Sequence, residues 1–237
     1  MTPQASLNER LEKRLARVAR EQGIDQERLR RWVSFLALCG LLERAVNAGF
    51  LKSYYLKGGV ALELRFAGRA RTTKDLDIGI DGTRADRLEL FQRSLRLGFD
   101  DFTFRAKAQT RVMEQADTVR TAVAIEYWMR PWQTIEVDLG PTKTPAVDLV
   151  DPKVPAIAEL GLSVTSPVRC LSLAEQVAQK LHACTAPHTV GRARDIFRHT
   201  ADRIAGLPGL RCCRCGGPAG FQRARNAQFP KDIHHAC

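Results

Sequence analysis

Two short segments of this chain alternate acidic with apolar residues, and that alternation leaves few folds open. In Asp75-Leu76-Asp77-Ile78-Gly79-Ile80 a carboxylate falls on every second position before a turn at Asp81-Gly82, the pattern of a half-buried strand. In Thr134 to Leu139, the apolar Ile135, Val137 and Leu139 take one face and leave Glu136 and Asp138 together on the other. Residues two apart on a strand are about 6.6 Å apart at Cα, near enough for both carboxylates to converge on metal ions that sit roughly 4 Å from each other. Three carboxylates crowded on one sheet face repel unless cations neutralise them, so the arrangement makes physical sense mainly with Mg2+ bound. The competing reading is a pair of solvent-facing acids on an edge strand, since Asp-x-Asp often occurs by chance. Between Glu136 and Asp138, geometry alone does not choose the third ligand.

The surrounding pattern adds the rest of a fold. Leu7, Leu11, Leu15 and Val18 recur at helical spacing with Arg10, Lys13, Arg14, Arg17 and Arg20 between them, which reads as a basic amphipathic helix. A second helix is expected from about Asp25 to Ala48, ended by Gly49. Tyr54 to Leu56 reads as a short buried strand that meets Gly58-Gly59, after which Val60 to Phe66 is helical. Arg84 to Leu97 follows as a helix, and Val119 to Trp128 and Thr134 to Leu139 as strands joined through a hairpin at Arg130-Pro131. The Pro-rich stretch from Pro141 to Pro155 looks like a boundary. Beyond it, Leu171 to Cys184 is helical, with Leu173, Val177 and Leu181 on one face.

Composition excludes several classes. The 237 residues are too many for a disulfide-held mini-protein, and 44% hydrophobic with 27% charged residues is ordinary for a globular chain rather than a disordered one. The longest apolar run, around Phe35 to Leu42, is far short of the roughly 20 residues of a membrane span. Met1 to Arg10 lacks the apolar core of a signal peptide, so a cytoplasmic protein with reduced thiols is expected. Lys and Arg number 37 against 26 Asp and Glu, a net +11, which favours polyanionic partners such as nucleic acid or nucleotides. Cys39, Cys170 and Cys184 stand in apolar helical contexts and read as packing residues.

Gly58-Gly59 sits in a strand-to-helix turn upstream of the acids, where two residues without Cβ let backbone N–H groups approach a phosphate at a helix N-terminus. Lys57, Arg71 and Lys74 add positive charge nearby. The run Leu56-Lys57-Gly58-Gly59-Val60-Ala61-Leu62, followed by Arg71-Thr72-Thr73-Lys74-Asp75-Leu76-Asp77, resembles the AbiEii/AbiGii-type nucleotidyltransferases, toxins of type IV toxin–antitoxin systems with a DNA polymerase β-like fold. The resemblance runs from about Tyr55 to Phe197. Gln179-Lys180-Leu181-His182-Ala183 and Gly191-Arg192-Ala193-Arg194-Asp195-Ile196 are similar to two later elements of that family, which place a lysine and an aspartate at the cleft.

The resemblance implies an α+β fold: a mixed sheet with flanking helices and a helical C-terminal part, divided as N-terminal helices (1–50), nucleotidyltransferase core (51–145), helical part (146–200) and irregular tail (201–237). It implies Asp75, Asp77 and Asp138 as ligands of Mg2+, and Lys57, Gly58, Gly59, Arg71 and Lys180 as contacts of an NTP. Asp195 would orient Lys180 or the acceptor. It favours Asp138 over Glu136 as third ligand, the tRNA 3′ end as acceptor, and an antitoxin encoded nearby. A protein hydroxyl as acceptor, or a catalytically dead basic RNA-binding remnant, are the alternatives. The chain departs from the family in having Val60 where Ser or Thr follows the glycine pair, and Arg198 where a second acid follows Asp195. Past Ala201 periodicity fades. Cys212, Cys213, Cys215, His234, His235 and Cys237 are zinc-ligand types, but their spacing does not match the usual ligand pairs and the segment is too poor in apolar periodicity to offset its ordering entropy, so an unstructured tail is expected, which a frameshift would explain, with a zinc knuckle as the alternative.

Overall fold

The computed structural model describes residues 3–67, 70, 72–114, 117–142, 146–153, 158–163 and 167–185. The chain divides into two compact units, Met1–Ala178 and Gln179–Cys237. In the first, α1 (Pro3–Gln22) and α2 (Gln26–Asn47) precede β1 (Tyr54–Lys57), α3 (Gly58–Phe66), β2 (Asp75–Ile80) and α4 (Arg84–Leu95). There follow β3 (Phe102–Met113), β4 (Thr118–Tyr127), β5 (Arg130–Pro141), β6 (Val147–Val150), β7 (Val168–Leu171) and α5 (Leu173–Thr185), whose last turns, from Gln179, are the described part of the second unit. The fold is α+β, as expected. No helix among the described residues is long and apolar enough to cross a membrane.

The strands form one mixed sheet in the order β3-β4-β5-β2-β1-β7-β6. Strands β1 and β2 run antiparallel, as do β3 and β4, β4 and β5, and β6 and β7, while β2 with β5 and β1 with β7 are parallel. Alternation decides which face is covered. Leu56, Leu76, Ile78, Ile135, Val137 and Leu139 are fully or almost fully buried in one core with Leu11, Leu15 and Val18 of α1 and Leu29, Trp32, Phe35 and Leu38 of α2. Helix α2 is buried nearly all round. Its start is capped by Asp25, whose carboxylate accepts from Arg28 N at 2.8 Å, and Gly49 with φ +73° follows its end. Cys39 and Cys170 are buried in this core, where burial raises both thiols, Cys170 to about 11, so they pack as neutral groups.

Three expectations are corrected. The hairpin between β4 and β5 turns at Trp128-Met129, two non-glycine residues with φ +49° and +59°, the signs that a tight hairpin turn requires. Arg130 and Pro131 lie inside β5, and the register shift between Ile125 and Glu126 accommodates the proline. The Pro141 to Pro155 stretch carries β6, which pairs with β7 so that both extend the same sheet, and Leu171 belongs to β7 rather than to the helix that follows. Strand β3 is also present, although beyond Phe104 most of its residues are exposed. The tail cysteines and histidines from Cys212 onward lie outside the described residues.

Candidate active site

The acids meet because β2 and β5 are parallel neighbours in one register. Asp75 stands beside Glu136 and Asp77 beside Asp138, with adjacent strands about 4.8 Å apart. As Leu76, Ile78, Val137 and Leu139 fill the core face, all four carboxylates share the opposite one. Asp138 is buried, Asp75 and Asp77 are half-buried, and Glu136 is exposed. Lys57 pairs with Asp77 across β1 and β2. It reaches over β2 as far as Gly140 of β5, where a Cβ would meet Lys57 Nζ at 2.6 Å. The Asp77 carboxyl is held above the usual carboxylate range: burial is the main cause, and repulsion from Asp138 and Asp75 adds to it against attraction from Lys57 and Arg120.

Arg120, which sequence reasoning missed, is the other large charge in this row. It faces Asp138 across β4 and β5. Its Nε donates to Asp138 Oδ1 at 2.7 Å and its Nη2 to Oδ2 at 2.6 Å, while Asp75 Oδ2 and Glu136 Oε2 each lie 3.8 Å away. These hydrogen bonds raise the pKa of the guanidinium further, so it is a permanent cation. What places it is the hairpin together with its bulge: a turn at Trp128-Met129 alone would set Arg120 opposite Val137, and the one-residue shift between Ile125 and Glu126 moves it opposite Asp138, so local pattern gives no signal for the pairing.

The glycine turn presses against the same row. Gly58 has φ +63°, and a Cβ there would overlap Asp77 Oδ2 and stand 2.9 Å from Asp77 Cγ. A Cβ on Gly59 would meet Thr73 Cβ at 2.7 Å. The chain therefore needs Gly58 on two counts, backbone conformation and close approach. The α3 N-terminus has no side-chain cap, since Lys57 at the N-cap makes no capping hydrogen bond, which leaves its first N–H groups for an anion. Val60 is fully buried, so its side chain belongs to the core. The return from α3 to β2 is tied down by Glu63, which accepts from Thr73 N at 3.4 Å and from Arg28 Nη2 at 3.0 Å. Arg28 also donates to the carbonyls of Ala67 and Ala70 at 3.2 and 2.8 Å. Burial raises the Glu63 pKa, and Arg28 and the Thr73 N–H oppose the rise.

Asp75, Asp77, Asp138, Lys57, Gly58 and Gly59 are thus brought together on β1, β2, β5 and the start of α3. Lys180 lies on α5 in the second unit, and Arg71 and Asp195 lie outside the described residues. Among the described residues, no group of three or more His, Cys, Asp or Glu is disposed to hold a metal ion. At this site Arg120 donates to both oxygens of Asp138. The donor set itself suits a hard divalent cation: the groups are carboxylate oxygens, and like-charge repulsion adds to the raised pKa of Asp77. In donor chemistry the residues fit Mg2+, while in this arrangement Arg120 stands among them.

A family model described as the AbiEii nucleotidyl transferase toxin of type IV toxin–antitoxin systems matches residues 40–197. No curated protein matches the chain. Among solved structures it is similar to MenT4, a nucleotidyltransferase toxin from Mycobacterium tuberculosis H37Rv, with TM-score 0.52 and 20% identity, over 71% of this chain and 58% of that one. It also aligns with ANT(2″)-Ia in complex with adenylyl-2″-tobramycin, at TM-score 0.36 and 16% identity, over 82% of this chain and 99% of that one. The chain spans little more than half the length of MenT4, and at such identity the likeness concerns the fold alone. With the family model covering two thirds of its length, the chain belongs to the AbiEii nucleotidyl transferase toxin family.

Proposed function

We propose that the protein transfers a nucleotide from an NTP to the 3′ end of tRNA, with Mg2+ held by Asp75, Asp77 and Asp138. The observation that carries this reading is the register of β2 on β5, which lines up Asp75 with Glu136 and Asp77 with Asp138 beside the uncapped start of α3. In the transfer, the acceptor hydroxyl oxygen forms a bond to the α-phosphorus, the bond from that phosphorus to the bridging oxygen breaks, and pyrophosphate leaves as the hydroxyl proton departs. Bound Mg2+ would supply a lowered pKa for the acceptor hydroxyl and neutralise charge on the leaving pyrophosphate. The chain's own groups do the positioning. Backbone N–H groups of the Gly58-Gly59 turn receive phosphate oxygens, and the phosphate grip rests on them and on Lys57 and Arg71, because Val60 offers no hydroxyl. By the family likeness, Lys180 contacts the triphosphate or the acceptor and Asp195 orients Lys180 or the acceptor. The net charge of +11 favours an RNA acceptor. The protein is a cytoplasmic toxin in this reading, neutralised by an antitoxin encoded nearby.

The test is incubation of the protein with each labelled NTP, Mg2+ and total RNA. Label is expected in the tRNA band. Label on protein would place the activity on protein hydroxyls instead, and no label with any NTP would leave an RNA-binding remnant.

A further inference from the structure

Arg120 occupies the place where a cation is needed. The guanidinium takes both oxygens of Asp138 at 2.7 and 2.6 Å and stands 3.8 Å from each of Asp75 and Glu136, so it touches or approaches three of the four acids in the row. A bidentate pair of this kind is among the stronger polar contacts a protein makes. It puts a guanidinium donor and its positive charge on each Asp138 oxygen, so a second cation would meet partly occupied oxygens and like-charge repulsion. The two partners differ in exposure: the Asp138 side chain is 9% exposed, and that of Arg120 is 32% exposed. Arg120 is therefore the partner with room to move. Glu136 is the exposed carboxylate beside it, two residues from Asp138 on the same strand face, and its Oε2 is already 3.8 Å from Arg120 Nε.

We propose that Arg120 is an internal counter-ion of the acid row, which must release Asp138 before a divalent cation binds, and that Glu136 is the carboxylate that receives it. The inference rests on the metal reading above and adds a regulation of the same site. Without any cation, Asp75, Asp77 and Asp138 would repel one another on one half-buried face. Arg120 relieves that repulsion in the metal-free protein and competes with the metal for the same oxygens. The transfer from Asp138 to Glu136 needs only rotation of the arginine side chain, because both acids lie on β5 facing the same side. In this account Arg120 is a positioning residue and Glu136 is not a metal ligand.

The experiment titrates Mn2+ into the full chain without nucleotide and follows free Mn2+ by electron paramagnetic resonance, for wild type, Arg120→Gln, Glu136→Gln and the double variant. Removing one charge-assisted bidentate contact is expected to tighten Mn2+ binding about tenfold in Arg120→Gln. Glu136→Gln is expected to weaken binding about threefold in the wild-type background and to leave the Arg120→Gln affinity unchanged. Melting is a second readout: Arg120→Gln without metal melts below wild type and gains more on adding Mn2+ than wild type does. Arg120→Lys, which keeps the charge and loses the fork, falls between the two in affinity and serves if Arg120→Gln folds poorly. Equal Mn2+ affinity in wild type, Arg120→Gln and Arg120→Lys overturns the counter-ion role while leaving the metal site standing. A loss from Glu136→Gln of the same size in both backgrounds makes Glu136 a ligand and overturns its role as receiver. Absence of Mn2+ binding in every protein overturns the metal reading and this inference together.

Discussion

Replacing Gly58 with alanine tests how closely the glycine turn and the acid row are coupled. At φ +63° an L residue is disfavoured by about 1–2 kcal/mol. The added Cβ would also overlap Asp77 Oδ2 and sit 2.9 Å from its Cγ, so the carboxylate must rotate away or the turn must shift. Asp77 is hemmed in by Lys57, Asp75 and Asp138, and a displacement of about 1 Å at a reacting centre costs on the order of 100-fold in rate. The expected outcome for Gly58→Ala is a fall in nucleotide transfer of about 100-fold or more, with a melting temperature lowered by roughly 2–8 °C for a loss of 1–2 kcal/mol in a chain of this size. The assay is initial-rate transfer of label from NTP to RNA, beside a thermal melt. Two controls separate close approach from mere bulk. The nearest atoms to an added Cβ in Gly59→Ala belong to Thr73, at 2.7 Å, and this variant should lose less activity. Gly140→Ala meets chiefly the flexible tip of Lys57 and should lose least. Transfer by Gly58→Ala within threefold of wild type would refute the coupling.

Three further outcomes are expected. Because the Asp77 carboxyl is raised in the folded protein, mainly by burial, the folded state holds its proton more readily than the unfolded one, and metal-free stability falls as pH rises from the ordinary carboxylate range through the raised value; Asp77→Asn should therefore melt no lower than wild type at pH 7 without metal, the difference shrinking toward pH 4, and a drop of several degrees at pH 7 would contradict this. Asp138→Asn should cost about 100-fold or more in transfer and Glu136→Gln less than tenfold, a reversed order in the same rate assay making Glu136 the third ligand. Arg28→Ala leaves the buried Glu63 without its ion partner and frees the Ala67 and Ala70 carbonyls, so chemical denaturation should show a loss of about 3 kcal/mol, and a loss below about 0.5 kcal/mol would show that the pair does not hold the segment leading to β2.

Local alternation made β2 and β5 readable, because each buries one face and exposes the other, and Asp75, Asp77 and Asp138 came with them. Helix α2 was readable from its long apolar content ahead of Gly49, although it is buried nearly all round rather than on one face. What escaped depended on pairing rather than pattern. Arg120 looks like any surface arginine until the turn at Trp128-Met129 and the one-residue shift between Ile125 and Glu126 together fix the register of β4 on β5, and that turn uses two residues that do not advertise positive φ. Strand β6 is four residues long, largely exposed and flanked by prolines, so only its pairing with β7 makes it a strand. Glu63 and Arg28 are 35 residues apart, and nothing in the local pattern shows that one neutralises the other.

The central claim is that the carboxylates on β2 and β5 form the centre at which a nucleotide is transferred. The most direct measurement is single-turnover transfer of labelled nucleotide to RNA in Mg2+ by wild type, Asp75→Asn and Asp77→Asn, each shown to be folded by its circular dichroism. Wild type should transfer label, and each variant should lose several orders of magnitude in rate. Near-normal transfer by either variant would contradict the claim.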